Sequence, residues 1–288
     1  MLDTAELTPI GEIWLRLKKN KAAMVALFVV LFIVLVALFA DVIADYQTMA
    51  IQQHPEIRLQ GPSAEHWFGT DAFGRDVFAR VIHGARYSLL FGVVCTFLST
   101  AAGCILAAFA AYLGKAVETV IMRAMDAMMS IPFILLVLVI IAAVGSGFKS
   151  MFIAMVIAYV PAFTRMIHSF VVTVVRQEYI EAARSSGAKR LTIIFTHVLP
   201  NAIGPIIVNV TMMVPQAIFT EAFLSFVGVG ISAPLASWGT LAQDARTQIE
   251  LFPLQILFPL LAICITIFAL NFIGDGLGAS LDPKNRKE

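Results

Sequence analysis

Apolar residues in this chain come in long unbroken runs, not in the alternation of a half-buried strand or the every-third-or-fourth spacing of a surface helix. A helix that crosses a bilayer takes about 20 mostly apolar residues. Runs of that size cover residues 22–44, 88–112, 125–144, 151–170, 203–229 and 252–273. Six spanning helices in an all-α integral membrane fold are therefore predicted. Ahead of the first run, Thr8 and Pro9 start a short helix, with Pro9 at the first helical position. Ile10, Ile13, Trp14 and Leu17 then line one face beside Lys18 and Lys19, which predicts an anchor lying in the cytoplasmic interface. A basic stretch before an apolar run also has the order of a signal peptide, but this run exceeds the roughly 7 to 15 residues of such a segment. It is expected to be a retained first span.

Composition agrees with the pattern. Hydrophobic residues make up 59% of the 288 and charged residues 14%, against about 25% charged in soluble domains. A net charge of +1 gives no sign of nucleic-acid binding. Of the 20 Lys and Arg, only Arg58, Arg75, Arg80, Arg86, Lys149 and Arg246 fall on one side of the predicted spans. The bias of the rest places both termini in the cytoplasm by the positive-inside rule. Cys95, Cys104 and Cys264 all fall inside predicted spans without a CxxC pair or a nearby His, so neither a disulfide framework nor a metal site is expected.

Two polar stretches interrupt the apolar pattern. The external one, residues 45–87, carries Asp71, Gly74, Arg75, Asp76 and Arg80 at close spacing, which suits a compact turn held by charge-assisted hydrogen bonds. Neighbouring arginines keep both carboxylates ionised, and no nucleophile accompanies them, so acid–base catalysis is set aside for a loop that closes over or orients an entrance. The cytoplasmic one runs Glu178-Tyr-Ile-Glu-Ala-Ala-Arg-Ser-Ser-Gly-Ala-Lys-Arg on to Leu199-Pro200-Asn201. Residues 177–184 read as one short helix, Gly187 as a break, 191–198 as a second short helix and Pro200 as its end. Ala182 and Ala183 permit close approach, and Glu181 offers an anchor for a partner Arg. On the residues alone, a docking elbow and a solvated connecting loop stand side by side.

The order Glu181-Ala182-Ala183, three residues, Gly187, then Leu199-Pro200 resembles the EAA loop of permease subunits in binding-protein-dependent ABC importers. His197 stands where that pattern usually has an apolar residue. Phe68-Gly-Thr-Asp71 with Gly74-Arg-Asp76, Phe223-Leu-Ser-Phe-Val-Gly228, Ser237-Trp238-Gly239, and the closing Asn271-Phe-Ile-Gly-Asp275-Gly-Leu277 with Leu281-Asp-Pro283 are similar to the second, "C" permease of the oligopeptide, dipeptide and nickel systems. Gly278-Ala279 departs from the Arg and Asp common there. The resemblance implies a type I importer permease, with an N-terminal region at 1–80 and a core at 81–288 whose EAA loop covers about 171–202. It implies as partners a homologous second permease, two cytoplasmic ATPase subunits that bind ATP and Mg, and an external substrate-binding protein. In that picture Glu178, Glu181, Ala182, Ala183, Gly187, Leu199 and Pro200 couple the permease to an ATPase. No P-loop occurs in this chain, Gly145-Ser-Gly-Phe-Lys-Ser having the wrong spacing, so no catalysis and no bound cofactor are expected of it.

Polar residues inside spans are candidates for a solute path. Asn209, Met213, Gln216 and Thr220 share one face of the fifth span, with Glu221 beside them. A path lined by amide and hydroxyl groups suits a peptide backbone, and interhelical hydrogen bonding is the equal alternative. Asp126, His168 and Glu221 are scattered over three spans, which argues against the carboxylate relay of an ion-coupled transporter. Import of oligopeptides or dipeptides is the expected function, with glutathione, nickel or another small solute as the alternative. The expected setting is the inner or plasma membrane.

Overall fold

The computed structural model describes residues 9–145, 147–231 and 233–281, without the side chains of Pro9, Ile10 and Glu12. Thr8, the Ile10 side chain, Asp282 and Pro283 of the closing motif, and the basic residues of 284–287 lie outside it. Among the described residues the regular structure is helical, apart from one isolated bridge between Thr70 and Asp76. In chain order the helices are α1 Pro9–Lys19, α2 Lys21–Leu38, α3 Ala40–Ile43, α4 Val77–Tyr112, α5 Lys115–Met129, α6 Phe133–Val144, α7 Phe148–Val175, α8 Glu178–Ser185, α9 Arg190–Thr192, α10 Leu199–Val227, α11 Trp238–Ala245 and α12 Pro253–Leu281. Single turns of wider π-helix cover Tyr46–Ile51 and Ile193–Val198.

Five of these stretches are long and apolar enough to cross a membrane, and a sixth if α5 and α6 count as one span. The predicted span 125–144 is thus corrected to two helices meeting at 92°. Pro132, in extended backbone at ψ 131, lacks an N–H and cannot continue the ladder from α5. Pro161 and Pro259, by contrast, sit inside α7 and α12, which run on through them.

The chain divides into two compact units: Met1–Val93 with Ser146–Phe148 and Thr211–Glu288, and Val94–Gly145 with Lys149–Val210. In the first unit, α12 packs along α2 and α1. Asn20 separates α1 from α2 and caps the latter by accepting from the Ala23 N–H at 3.1 Å. Trp14 lies under the Lys18 ammonium, and Leu17 turns inward at 6% exposure. The end of α2 is closed from α4: Arg86 donates to the carbonyls of Ala37 and Leu38 and pairs with Asp41 at 2.7 Å. His83 Nε2 meets the Ala44 carbonyl at 2.8 Å. Carbonyls that a helix end leaves unused, and that lipid cannot satisfy, are thereby answered by side chains. Asp45 caps the following turn, and its bonds from Thr48 hold its carboxyl below the ordinary carboxylate range. A core of Val77, Val81, Ala85, Ala222, Trp238, Leu241 and Ile263 ties α4, α10, α11 and α12 together.

In the second unit, α7 buries a stripe of Ala154, Ala158, Phe163, Ile167 and Val171. A Cβ at Gly103 on α4 would lie 3.0 Å from the Phe163 Cβ, so this glycine sets the closeness of α4 to α7.

Gly276 does the same for α12, where a Cβ would meet Ala23 and Leu17. Gly276→Val is expected to destabilise the detergent-purified protein by about 1–3 kcal/mol, seen as a lower melting temperature. Gly204 on α10, where nothing lies within 4 Å of a Cβ and φ is ordinary, serves as the comparison.

Candidate functional site

The polar stretch around Gly187 folds as an elbow. Helix α8 ends at Ser186, whose hydroxyl donates to the Ala182 carbonyl at 2.9 Å. Gly187 takes φ +80°, and its N–H donates to the Arg184 carbonyl at 3.1 Å while Ala188 N–H donates to Ala183 at 3.2 Å. Nothing lies within 4 Å of a Cβ at Gly187, so backbone conformation alone selects glycine there.

One face of the elbow is fixed and the other open. Ile180 is fully buried, as are Ile193, Ile194 and Val198 of the π-helical turn against which α8 packs. The Arg184 guanidinium lies 5.2 Å from the Tyr112 ring centroid. Glu178, Glu181 and Ala182 face outward, with Ala183 half-buried. Beside them Tyr179, Leu191 and Phe195 are exposed apolar side chains that sequence reasoning passed over. Their signal was available, as apolar residues with no periodic partner in a polar stretch.

Pro200 does not end a second short helix. The chain runs without interruption from Arg190 to Val227. In the π-helical turn the Leu199 N–H reaches back five residues to the Ile194 carbonyl. Pro200 then occupies the second position of α10, where a missing N–H costs little. The elbow is therefore one short helix, a glycine bend and the base of a long spanning helix. Leu199 is half-buried and Pro200 exposed at that base.

The residues of the other polar stretch form one network in the first unit. Asp71 accepts from the Phe73 N–H at 2.8 Å, the Arg75 N–H at 3.0 Å, Arg75 Nε at 2.8 Å and Arg80 Nη1 at 2.8 Å. Arg80 Nη1 also reaches Asp244 on α11 at 3.1 Å, and Arg75 reaches it at 3.5 Å. Asp76 accepts from the Ala79 N–H at 2.7 Å and pairs with His66 Nδ1 at 2.8 Å. Gly74 has φ +76°, and a Cβ there would overlap the His54 carbonyl. The loop is closed onto α12 by Gln255 Nε2, which donates to the Thr70 carbonyl at 2.7 Å. Both oxygens of Asp71 and of Asp76 are engaged with the fold, so the network acts as a fastener.

Along α10, Asn209 donates to the Pro205 carbonyl at 2.9 Å and Thr220 to the Gln216 carbonyl at 2.8 Å. Met213 is half-buried, Gln216 exposed and Thr220 buried. Glu221 is fully buried. Its two oxygens accept from Ser88 at 3.2 Å and Ser225 at 2.7 Å, and Ser88 in turn accepts from the Trp238 N–H at 3.2 Å. Trp238 Nε1 donates to the Val81 carbonyl at 2.9 Å. The carboxyl is thus the hub of a hydroxyl cluster joining α4, α10 and α11. The second unit holds charges of a different kind: Asp126 of α5 pairs with Arg165 of α7, and Glu118 of α5 with His168 of α7 at 3.3 Å, both pairs partly open to solvent. Among the described residues no group of His, Cys, Asp and Glu is arranged to hold a metal ion.

The model of the family described as "Binding-protein-dependent transport system inner membrane component" matches residues 99–287, and that of the "N-terminal TM domain of oligopeptide transport permease C" matches residues 8–62. The chain belongs to this permease family. It is similar to the dipeptide transport system permease protein DppC of Alkalihalophilus pseudofirmus, at 41% identity over 96% of this chain and 90% of that protein. It is similar also to the oligopeptide transport system permease protein OppC of Bacillus subtilis, at 40% over 95% and 89%. The glutathione transport system permease protein GsiD of Escherichia coli follows at 39% over 96% and 91%. Among solved structures, the inward-facing MetNI methionine ABC transporter superposes with a TM-score of 0.58 over 70% of this chain and 95% of its own, at 17% identity. The permease is accordingly a multi-pass membrane protein with a type I ABC importer permease fold, of the class of the peptide, dipeptide and glutathione relatives.

The fastener gives a stability test. Asp71→Asn leaves Arg75 and Arg80 with Asp244 as their remaining carboxylate, and breaking a buried pair of this kind is expected to cost about 3–5 kcal/mol. Asp244 is itself 40% exposed, so Asp244→Asn is expected to cost less. Thermal unfolding of the two purified variants checks the order.

Proposed function

We propose that this permease forms half of the pathway by which short peptides are imported, and that α8 with the Gly187 bend couples it to a partner ATPase. The observation that carries the reading is the two-sided elbow. Ile180 and Arg184 fix α8 to the permease, while Glu178, Glu181, Ala182, Tyr179 and Leu191 face away from it. A charged and apolar surface left exposed beside a rigid spanning helix suits a cleft in a second protein. Force applied at α8 passes, through its packing on the π-helical turn, into the base of the helix that runs unbroken from Arg190 to Val227.

In this reading a homologous second permease completes the path, and two ATPase subunits on the cytoplasmic side bind ATP and Mg. An external binding protein delivers the solute. Closure of the ATPase pair moves the elbow and biases the spans between two states. Asn209, Met213, Gln216 and Thr220 line part of the path, and the Asp71 to Asp76 loop shapes its outer mouth. Residues 1–80 attach the core at 81–288 to the membrane, with both termini in the cytoplasm as the distribution of Lys and Arg favours. The likeness to the glutathione permease favours a second reading, in which the solute is glutathione, itself a peptide derivative.

The test is uptake by the reconstituted complex. Glu181→Lys is expected to leave insertion intact while uncoupling hydrolysis from uptake, which falls at least about tenfold, equivalent to ~1.4 kcal/mol of lost coupling. Gly187→Val, forced to hold φ +80° at a cost of about 1–2 kcal/mol, is expected to act the same way. Undiminished transport in both variants would refute the coupling role.

A further inference from the structure

The charges of α5 and α7 differ from those of the external fastener in one respect. Asp71 and Arg80 are 10% and 6% exposed and bonded on every side, whereas Asp126 and Arg165 are 39% and 51% exposed. One Arg165 Nη donates to one Asp126 oxygen, and among the described residues the other Asp126 oxygen and the other guanidinium donors meet no side chain. Arg165 lies about 15 Å along α7 from the helix end at Val175. Asp126 lies about one turn before the end of α5 at Met129. A half-open ion on the spanning helix α7 is costly against hydrocarbon, so the Arg165 face of the second unit is turned away from lipid. Glu118 and His168 extend the same seam toward the start of α5.

We infer that the Asp126 and Arg165 pair is a way-station for the charged termini of a short peptide in transit, an inference that rests on the import reading above. A free peptide carries one ammonium and one carboxylate whatever its side chains. The Asp126 carboxylate accepts from the ammonium, and the Arg165 fork takes the carboxylate through two parallel N–H bonds. The internal pair opens as the two external pairs form, so charge stays balanced and neither ion is left bare. The same exchange run backwards releases the peptide without an energy trap. Specificity for free termini, indifferent to sequence, is what such a pair provides.

The experiment uses the complete complex in proteoliposomes with a radiolabelled dipeptide and its C-terminal amide. Arg165→Gln and Asp126→Asn are each expected to lower dipeptide uptake at least about tenfold, with co-purification of the partner subunits unchanged. The double variant is expected to stay as low as the poorer single, because two lost solute contacts do not repair one another. For the amide, Arg165→Gln relative to wild type is expected to change less than about threefold. Recovery of the double variant toward wild type would show an internal strut and overturn the inference, as would single variants that transport normally. If the wild-type complex imports no peptide, the import reading itself fails and takes this inference with it. Normal import with a recovering double variant removes this inference alone.

Discussion

A polar group inside a bilayer has no water to turn to, and the fold depends on how each such group is answered. Arg86 reaches across from α4 to close the open carbonyls of α2, and Asn20 closes its start. Ser88 and Ser225 surround Glu221, and Arg75 and Arg80 surround Asp71. The π-helical turn before Pro200 supplies the backbone bond that an α-helical register would have broken. Such bonds tie together elements that the apolar runs alone would not order.

The same constraint separates what holds the molecule from what it offers. Fully engaged ions, as around Asp71, have no free capacity and act as struts. Groups that remain open in an otherwise apolar chain stand out against that rule: the outward face of α8, and the seam of α5 and α7. One lies beside a glycine bend, the other where α5 and α7 pack together. In the import reading proposed above, the first is where work enters and the second is where cargo passes.

Much of this was legible in the residues. Long apolar runs are set by bilayer thickness, so the spans could be placed from their length, and the Gly187 bend could be placed because only glycine holds φ +80° without strain. What escaped was register and partnership. Pro132 and Pro200 are the same residue in similar company, yet one breaks a span by 92° and the other is absorbed in a continuous helix. The difference lies in whether the preceding turn widens, a three-dimensional matter that no local pattern encodes. Glu221 read as a path candidate by spacing, and its serine partners come from 133 residues earlier as well as from its own helix. Asp126 and His168 looked isolated because their ion-pair partners, Arg165 and Glu118, reach them only when α5 folds against α7. Tyr179, Leu191 and Phe195 were within reach, had exposure been asked of the apolar residues as well as the charged ones.

The most direct measurement is the composition of the complex that forms around α8. The chain, tagged and extracted from its native membrane in mild detergent, is predicted to bring with it a homologous permease and P-loop ATPases identifiable by mass spectrometry, and to lose the ATPases alone when Glu181 or Gly187 is replaced. Recovery of a stable chain without them, under conditions that preserve known complexes, would contradict the coupling role and leave the elbow a connecting loop.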